Sequence, residues 1–172
     1  MIKTVYIFLL VFISIFTQIL VGSAGLILPI TALSIFYLTI ITDWQTGVLT
    51  AAITGSIVDV IYGREIFLSP VLLVIIALLA ILWLYKGELK RLPVQTIPAG
   101  FISFIYICPD LFITYHVYEQ GFYLLLEKLL IASVSLILSS LIFPPFIVLM
   151  DKINTPLKLN LYTKSKERIS KE

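Results

Sequence analysis

The sequence predicts an all-α membrane protein, a compact bundle of six transmembrane helices. Three observations predict it. The 172 residues are 60% hydrophobic and only 13% charged, where a soluble domain carries about 25% charged residues. The apolar residues fall into long runs separated by short polar breaks, each run near the length a bilayer requires. The cations gather at 86–91 and after Met150 instead of being spread along the chain. These features leave room for several spans and short loops in one transmembrane domain, 1–150, followed by a basic tail, 151–172.

The first span is expected at 5–21, after Lys3. Its competing reading is a cleaved signal peptide ending at Gly22-Ser23-Ala24, but the run is long for that and the rest of the chain is equally apolar. Thr17 and Gln18 are expected to bond between helices. The second span, 26–41, carries Pro29 in its first turn, where a missing N–H costs little, and ends at Asp43-Trp44, an interfacial pair. The third is expected at 46–62 and the fourth at 67–85, with Trp83 and Tyr85 as an aromatic belt. The polar loop KGELKRLP follows. The fifth span, 96–115, contains Pro109 and is expected to kink there. The sixth, 122–150, exceeds bilayer length and contains Pro144-Pro145, expected to break its ladder.

Six spans place both termini on one side. That side holds Lys3, Lys86, Lys90, Arg91 and the six cations of the tail; the other holds Arg64 and Lys128. The positive-inside rule puts the richer side, and both termini, in the cytoplasm. The tail is expected to be solvated, touching anionic membrane lipid at most.

The stretch 43–63, DWQTGVLTAAITGSIVDVIYG, is the most informative. Gly47, Ala51, Gly55, Asp59 and Gly63 recur every fourth residue, so they draw one ridge along a helix. A ridge without bulk allows close helix approach, for packing or for docking a partner. Asp59 has no cation within one turn, the nearest being Arg64, and an acid in an apolar segment faces protein or a water-filled cavity. With the orientation above, Asp59, Asp110 and Glu127 share the outer layer, where they are candidates for a polar pocket; the alternative is that each lies hydrated at the headgroups.

Enzyme chemistry has no support in the sequence. His116 has no spaced Cys or His partner, so no metal site is expected, and His116 reads as an interfacial loop residue. Cys108 reads as a packing residue. Asp59 and Asp110 lack the contexts of an intramembrane protease dyad, and no nucleophile-elbow, metalloprotease or phosphate-loop pattern occurs. No cofactor is implied, and no basic face suggests nucleic acid.

The run TGVLTAAITGSIVDVIYGREIFLSP, 46–70, resembles the signature of MreD, the bacterial rod-shape-determining membrane protein family, in Gly47, Gly55, Asp59 and Gly63. Leu68-Ser69 stands where that family often has Leu-Gly. The run SSLIFPPFIVLMDKI, 139–153, is similar to the end of its last helix. The resemblance implies the fold of energy-coupling-factor substrate-binding subunits used as a non-enzymatic scaffold. Its implied partners are an MreC-like protein, MreB, RodA and a class B penicillin-binding transpeptidase, in sidewall peptidoglycan synthesis and rod shape. The rival reading is a vitamin-binding subunit of an energy-coupling-factor transporter. Against it, the first span contains no alanine for the A-x-x-x-A docking pattern such subunits carry. A small channel or carrier using Asp59 and Asp110 is the third reading, and it lacks an internal repeat.

Overall fold

The computed structural model describes residues 2–64, 67–117 and 122–165; the side chains of residues 110–125 lie outside the description. Six α-helices follow one another: α1 Ile2–Ser23, α2 Ile30–Ile41, α3 Trp44–Ile61, α4 Leu68–Lys86, α5 Thr96–Val117 and α6 Phe122–Asn154. Short 3-10 turns at Leu92–Gln95 and Tyr162–Lys164 complete the elements, with no strand among the described residues. Five of the helices are long and apolar enough to cross a membrane; α2 is not.

The second span is the main departure from expectation. Residues 26–29 are not helical, and Pro29 caps α2 from outside the helix instead of lying in its first turn. A helix of 12 residues is about 18 Å long, and the four residues before it add at most about 13 Å. Together they cover the thickness of a hydrocarbon core, about 30 Å. Lys3 Nζ lies 2.8 Å from Asp43 Oδ2, so the chain leaving α2 has returned to the level where α1 began.

Short as it is, α2 is the hub. Every residue from Thr31 to Ile41 is buried, and α2 touches each of the other five helices. A helix apolar on all sides has no face to give to solvent and belongs in the centre. Phe36 meets Phe143 edge-on at 5.8 Å and Tyr37 meets Phe146 at 5.6 Å. Around this axis α3 pairs with α4, and α5 with α6. The outward faces stay apolar: Phe8, Phe12, Leu49, Val60, Phe101 and Leu141 are all more than half exposed, as lipid contact requires.

Turns follow helix-end chemistry. After α1 and after α3, glycines at positive φ, Gly25 (80°) and Gly63 (62°), reverse the chain. In each, the next N–H returns to the carbonyl five residues back: Leu26 to Val21 and Arg64 to Asp59. This is the glycine-terminated C-cap, and it satisfies carbonyls the helix leaves open.

A second proline expectation changes, and so does the placing of His116. The helix α6 runs through Pro144 and Pro145 to Asn154; a proline removes its own N–H, and membrane helices tolerate that when packing holds the backbone. His116 falls in the last turn of α5, not in a loop. The tail also departs from expectation: 155–165 folds back under the bundle, and Tyr162 and Ser165 are buried. The end of the bundle that this strap covers also carries Lys3, Lys86, Lys90, Arg91, Lys152, Lys158 and Lys164. It is called the basic end below.

Candidate functional site

Four of the five ridge residues face inward. Gly47, Ala51, Gly55 and Asp59 are all buried. Gly55 touches the start of α4 so closely that a Cβ there would collide with Pro70 N and Cα and come within 2.7 Å of Ser69 C. Gly47 faces α2, where a Cβ would stand 2.7 Å from Thr39 Oγ1. Gly63, the fifth, is exposed and serves the turn after α3.

Asp59 uses this closeness. Its side chain is wholly buried, and Oδ2 accepts the Ser69 N–H at 2.9 Å. Ser69 is the second residue of α4, whose own N-cap position, Phe67, offers no side-chain bond. The carboxylate therefore caps α4 from a neighbouring helix, meeting both an orphan N–H and the positive end of the helix dipole. Arg64, carried back by the Gly63 turn, places Nη1 3.8 Å from Asp59 Oδ1 and 3.3 Å from Ser69 Oγ. Its guanidinium lies 5.7 Å from the Tyr62 ring centroid. Asp59 Oδ1 has no hydrogen-bond partner, so the Arg64 charge is what compensates it.

Gln18 does for α2 what Asp59 does for α4. The Thr31 N–H donates to Gln18 Oε1 at 2.9 Å, and Gln18 Nε2 donates to Tyr106 Oη at 3.1 Å. One amide on α1 thus caps α2 and ties both to α5. Thr17, its neighbour, bonds instead to Ile13 O within its own helix. A cleft of about 240 Å³ opens at this end, lined by Gln18, Tyr62, Arg64 and Tyr106 together with the 25–28 backbone turn.

Of the other two predicted acids, Glu127 alone has a described side chain. Glu127 is exposed on α6. The backbone of Asp110 is helical, but its side chain lies outside the described residues. Cys108 is exposed rather than packed inside, in a shallow cleft between α5 and α6.

A second polar cluster, at the basic end, escaped the sequence reading. Asp151 Oδ1 accepts the Tyr37 hydroxyl at 3.1 Å and the Tyr162 N–H at 2.8 Å. Its Oδ2 accepts the Thr163 N–H at 3.2 Å and the Thr163 hydroxyl at 3.0 Å. The Tyr162 ring stacks on Tyr37 at 5.7 Å with 4° between planes. Its hydroxyl donates to Gln95 Oε1 at 2.6 Å, which also accepts Trp83 Nε1 at 3.1 Å. Gln95 Nε2 holds the loop after α4 through Glu88 O at 2.6 Å. Burial pushes the Tyr162 phenol well above its ordinary value. The signal was present: Leu157, Leu159 and Leu161 alternate with polar residues in a stretch too apolar for a solvated tail.

Fold and site together define a multi-pass helical membrane protein. Comparison with protein-family models, with curated proteins and with solved structures finds no match to this chain.

Proposed function

We propose that this chain is a non-enzymatic membrane scaffold of the MreD type. In this reading it crosses a bacterial inner membrane six times, with both termini and the basic end in the cytoplasm. It binds an MreC-like protein and belongs to one assembly with MreB, RodA and a class B penicillin-binding transpeptidase. The observation that carries the reading is how the buried polar groups are used. Gln18, Asp59, Gln95 and Asp151 each close a helix end, loop or strap of this same chain. Such groups build a rigid body with apolar outer faces, suited to receiving another membrane helix. The resemblance of 46–70 and 139–153 to MreD supports the same conclusion, and the cation distribution supports the orientation.

The cleft beside Tyr62, Arg64 and Tyr106 favours a second reading, a substrate-binding subunit of an energy-coupling-factor transporter, because it joins polar donors to aromatic walls at the end opposite the basic one. Purification of the tagged protein from native membranes in mild detergent separates the two. The scaffold reading expects a single-span MreC-like protein and cell-wall synthases to co-purify. Recovery of paired ATPases with a coupling membrane subunit overturns it.

A further inference from the structure

A lateral groove between α4 and α5 has features that the scaffold reading does not use. Its volume is about 280 Å³, and its lining includes Leu79, Leu82, Trp83, Lys86, Ile97 and Phe101. Phe36 of the central helix forms part of its floor. Leu82, Ile97 and Phe101 are each more than half exposed, so the groove opens sideways, toward lipid. Nothing in it attracts water except at one mouth, where Lys86 stands exposed at the basic end. Lys86 makes no ion pair among the described residues. The adjoining loop adds Lys90, and Arg91, whose Nε lies 3.3 Å from the carboxylate of Glu88.

We propose that this groove binds one anionic glycerophospholipid, with an acyl chain along Leu82, Ile97 and Phe101 and the headgroup phosphate at Lys86. The occupant follows from the order of chemistry along the groove: an apolar slot at membrane depth, then an indole, then a cation at the headgroup level. A lipid has that order, with its phosphate as the counter-charge to Lys86. A cation near the membrane surface attracts anionic lipid, and a long lysine stem reaches the interface while lying along apolar surface. The wall is fixed rather than adaptable. Trp83 is held through Nε1 by the buried Gln95, which the Tyr162 hydroxyl also engages. The C-terminal strap thus helps to shape a lipid site on the far side of Gln95. The site stands independently of the scaffold reading, since it requires only that the chain lie in a membrane.

The two tryptophans of the chain are Trp44 and Trp83, so Trp44→Phe leaves a single tryptophan, in the groove wall, to be excited selectively over the tyrosines. The variant is reconstituted in phosphatidylcholine vesicles containing rising fractions of acyl-brominated phosphatidylglycerol or acyl-brominated phosphatidylcholine. The proposal expects Trp83 quenching to favour phosphatidylglycerol by about fivefold, the effect of roughly one interfacial lysine. Lys86→Gln is expected to bring the two curves together, and Lys86→Arg to keep them apart. Superimposed curves with Lys86 in place, or a preference that survives Lys86→Gln, overturn the proposal.

Discussion

Two aspartates close the two ends of this bundle, and they do so under different terms. Asp59 is wholly buried, accepts one hydrogen bond and leaves Oδ1 to the charge of Arg64. Asp151 is half-buried and accepts four. The better-satisfied acid holds the less essential piece. Asp151 fastens a strap whose backbone finds water once released. Asp59 fastens two transmembrane helices, and the Ser69 N–H it caps has no such substitute. The cost of losing a hydrogen bond depends on what the freed group meets next, so Asp59 is expected to matter more than Asp151 despite its fewer bonds.

The sharpest way to break this comparison is to remove the closeness on which Asp59 depends. Gly55→Leu places a side chain against the Pro70 backbone, which cannot rotate away as a side chain could. It is expected to destabilise the bundle by about 3 kcal/mol or more, read as a lower midpoint in detergent-titrated unfolding. Gly47→Ala meets the Thr39 side chain first, not backbone, and is expected to cost less than Gly55→Ala; the reverse order would show that the α3–α4 contact is loose.

Next in size is the carboxylate. Asp59→Ala leaves the Ser69 N–H uncapped and removes the carboxylate that faces Arg64, an expected loss of about 2 kcal/mol. Asp59→Asn keeps an acceptor for Ser69 and removes only the charge, an expected loss of about 1 kcal/mol. Arg64 is partly exposed, which limits the charge component. Equal losses in the two variants would mean that the charge, not the cap, is what matters.

Asp151→Ala sharpens the contrast from the other side. It is expected to free 155–165, seen as faster protease cleavage within the strap, while the global unfolding midpoint moves by no more than about 1 kcal/mol. A global loss equal to that of Asp59→Ala would erase the distinction between the two ends.

The smallest effect expected is a pH dependence of the strap. Burial raises the Tyr162 pKa above its ordinary value of 10.0. The neutral phenol is therefore favoured in the docked state, and its contribution is fully present below pH 10.0. It declines as pH rises past that value, because the undocked phenol ionises first. Strap cleavage is expected to accelerate above about pH 10, and Tyr162→Phe to remove that acceleration.

Much of the molecule was legible in the sequence, and the reason is local. Hydropathy and run length locate helices, because lipid demands a continuous apolar helix surface and internally satisfied backbone. The four-residue spacing of Gly47, Ala51, Gly55 and Asp59 places them on one face, and that face is the buried one. Gly25 marks a turn because a positive φ suits it, whereas Gly63, which the spacing adds to the ridge, lies past the end of α3 and serves the turn there. Local pattern did not reveal which run would be shortest and most central. The run at 26–41 looks like its neighbours, and only enclosure by five helices lets α2 be short, with non-helical backbone before it.

The sequence by itself determined a helical membrane protein, its approximate helices, its basic end and an acid embedded beside small residues. The tertiary structure decided what those parts meet. Gln18 reaches Thr31 and Tyr106, Arg64 turns back to Asp59, and Asp151, Tyr162, Gln95 and Trp83 join across more than sixty residues of chain. A polar side chain in an apolar environment takes whichever partner the packing brings within reach. That partner is set by how helices stack in three dimensions, which no local spacing records.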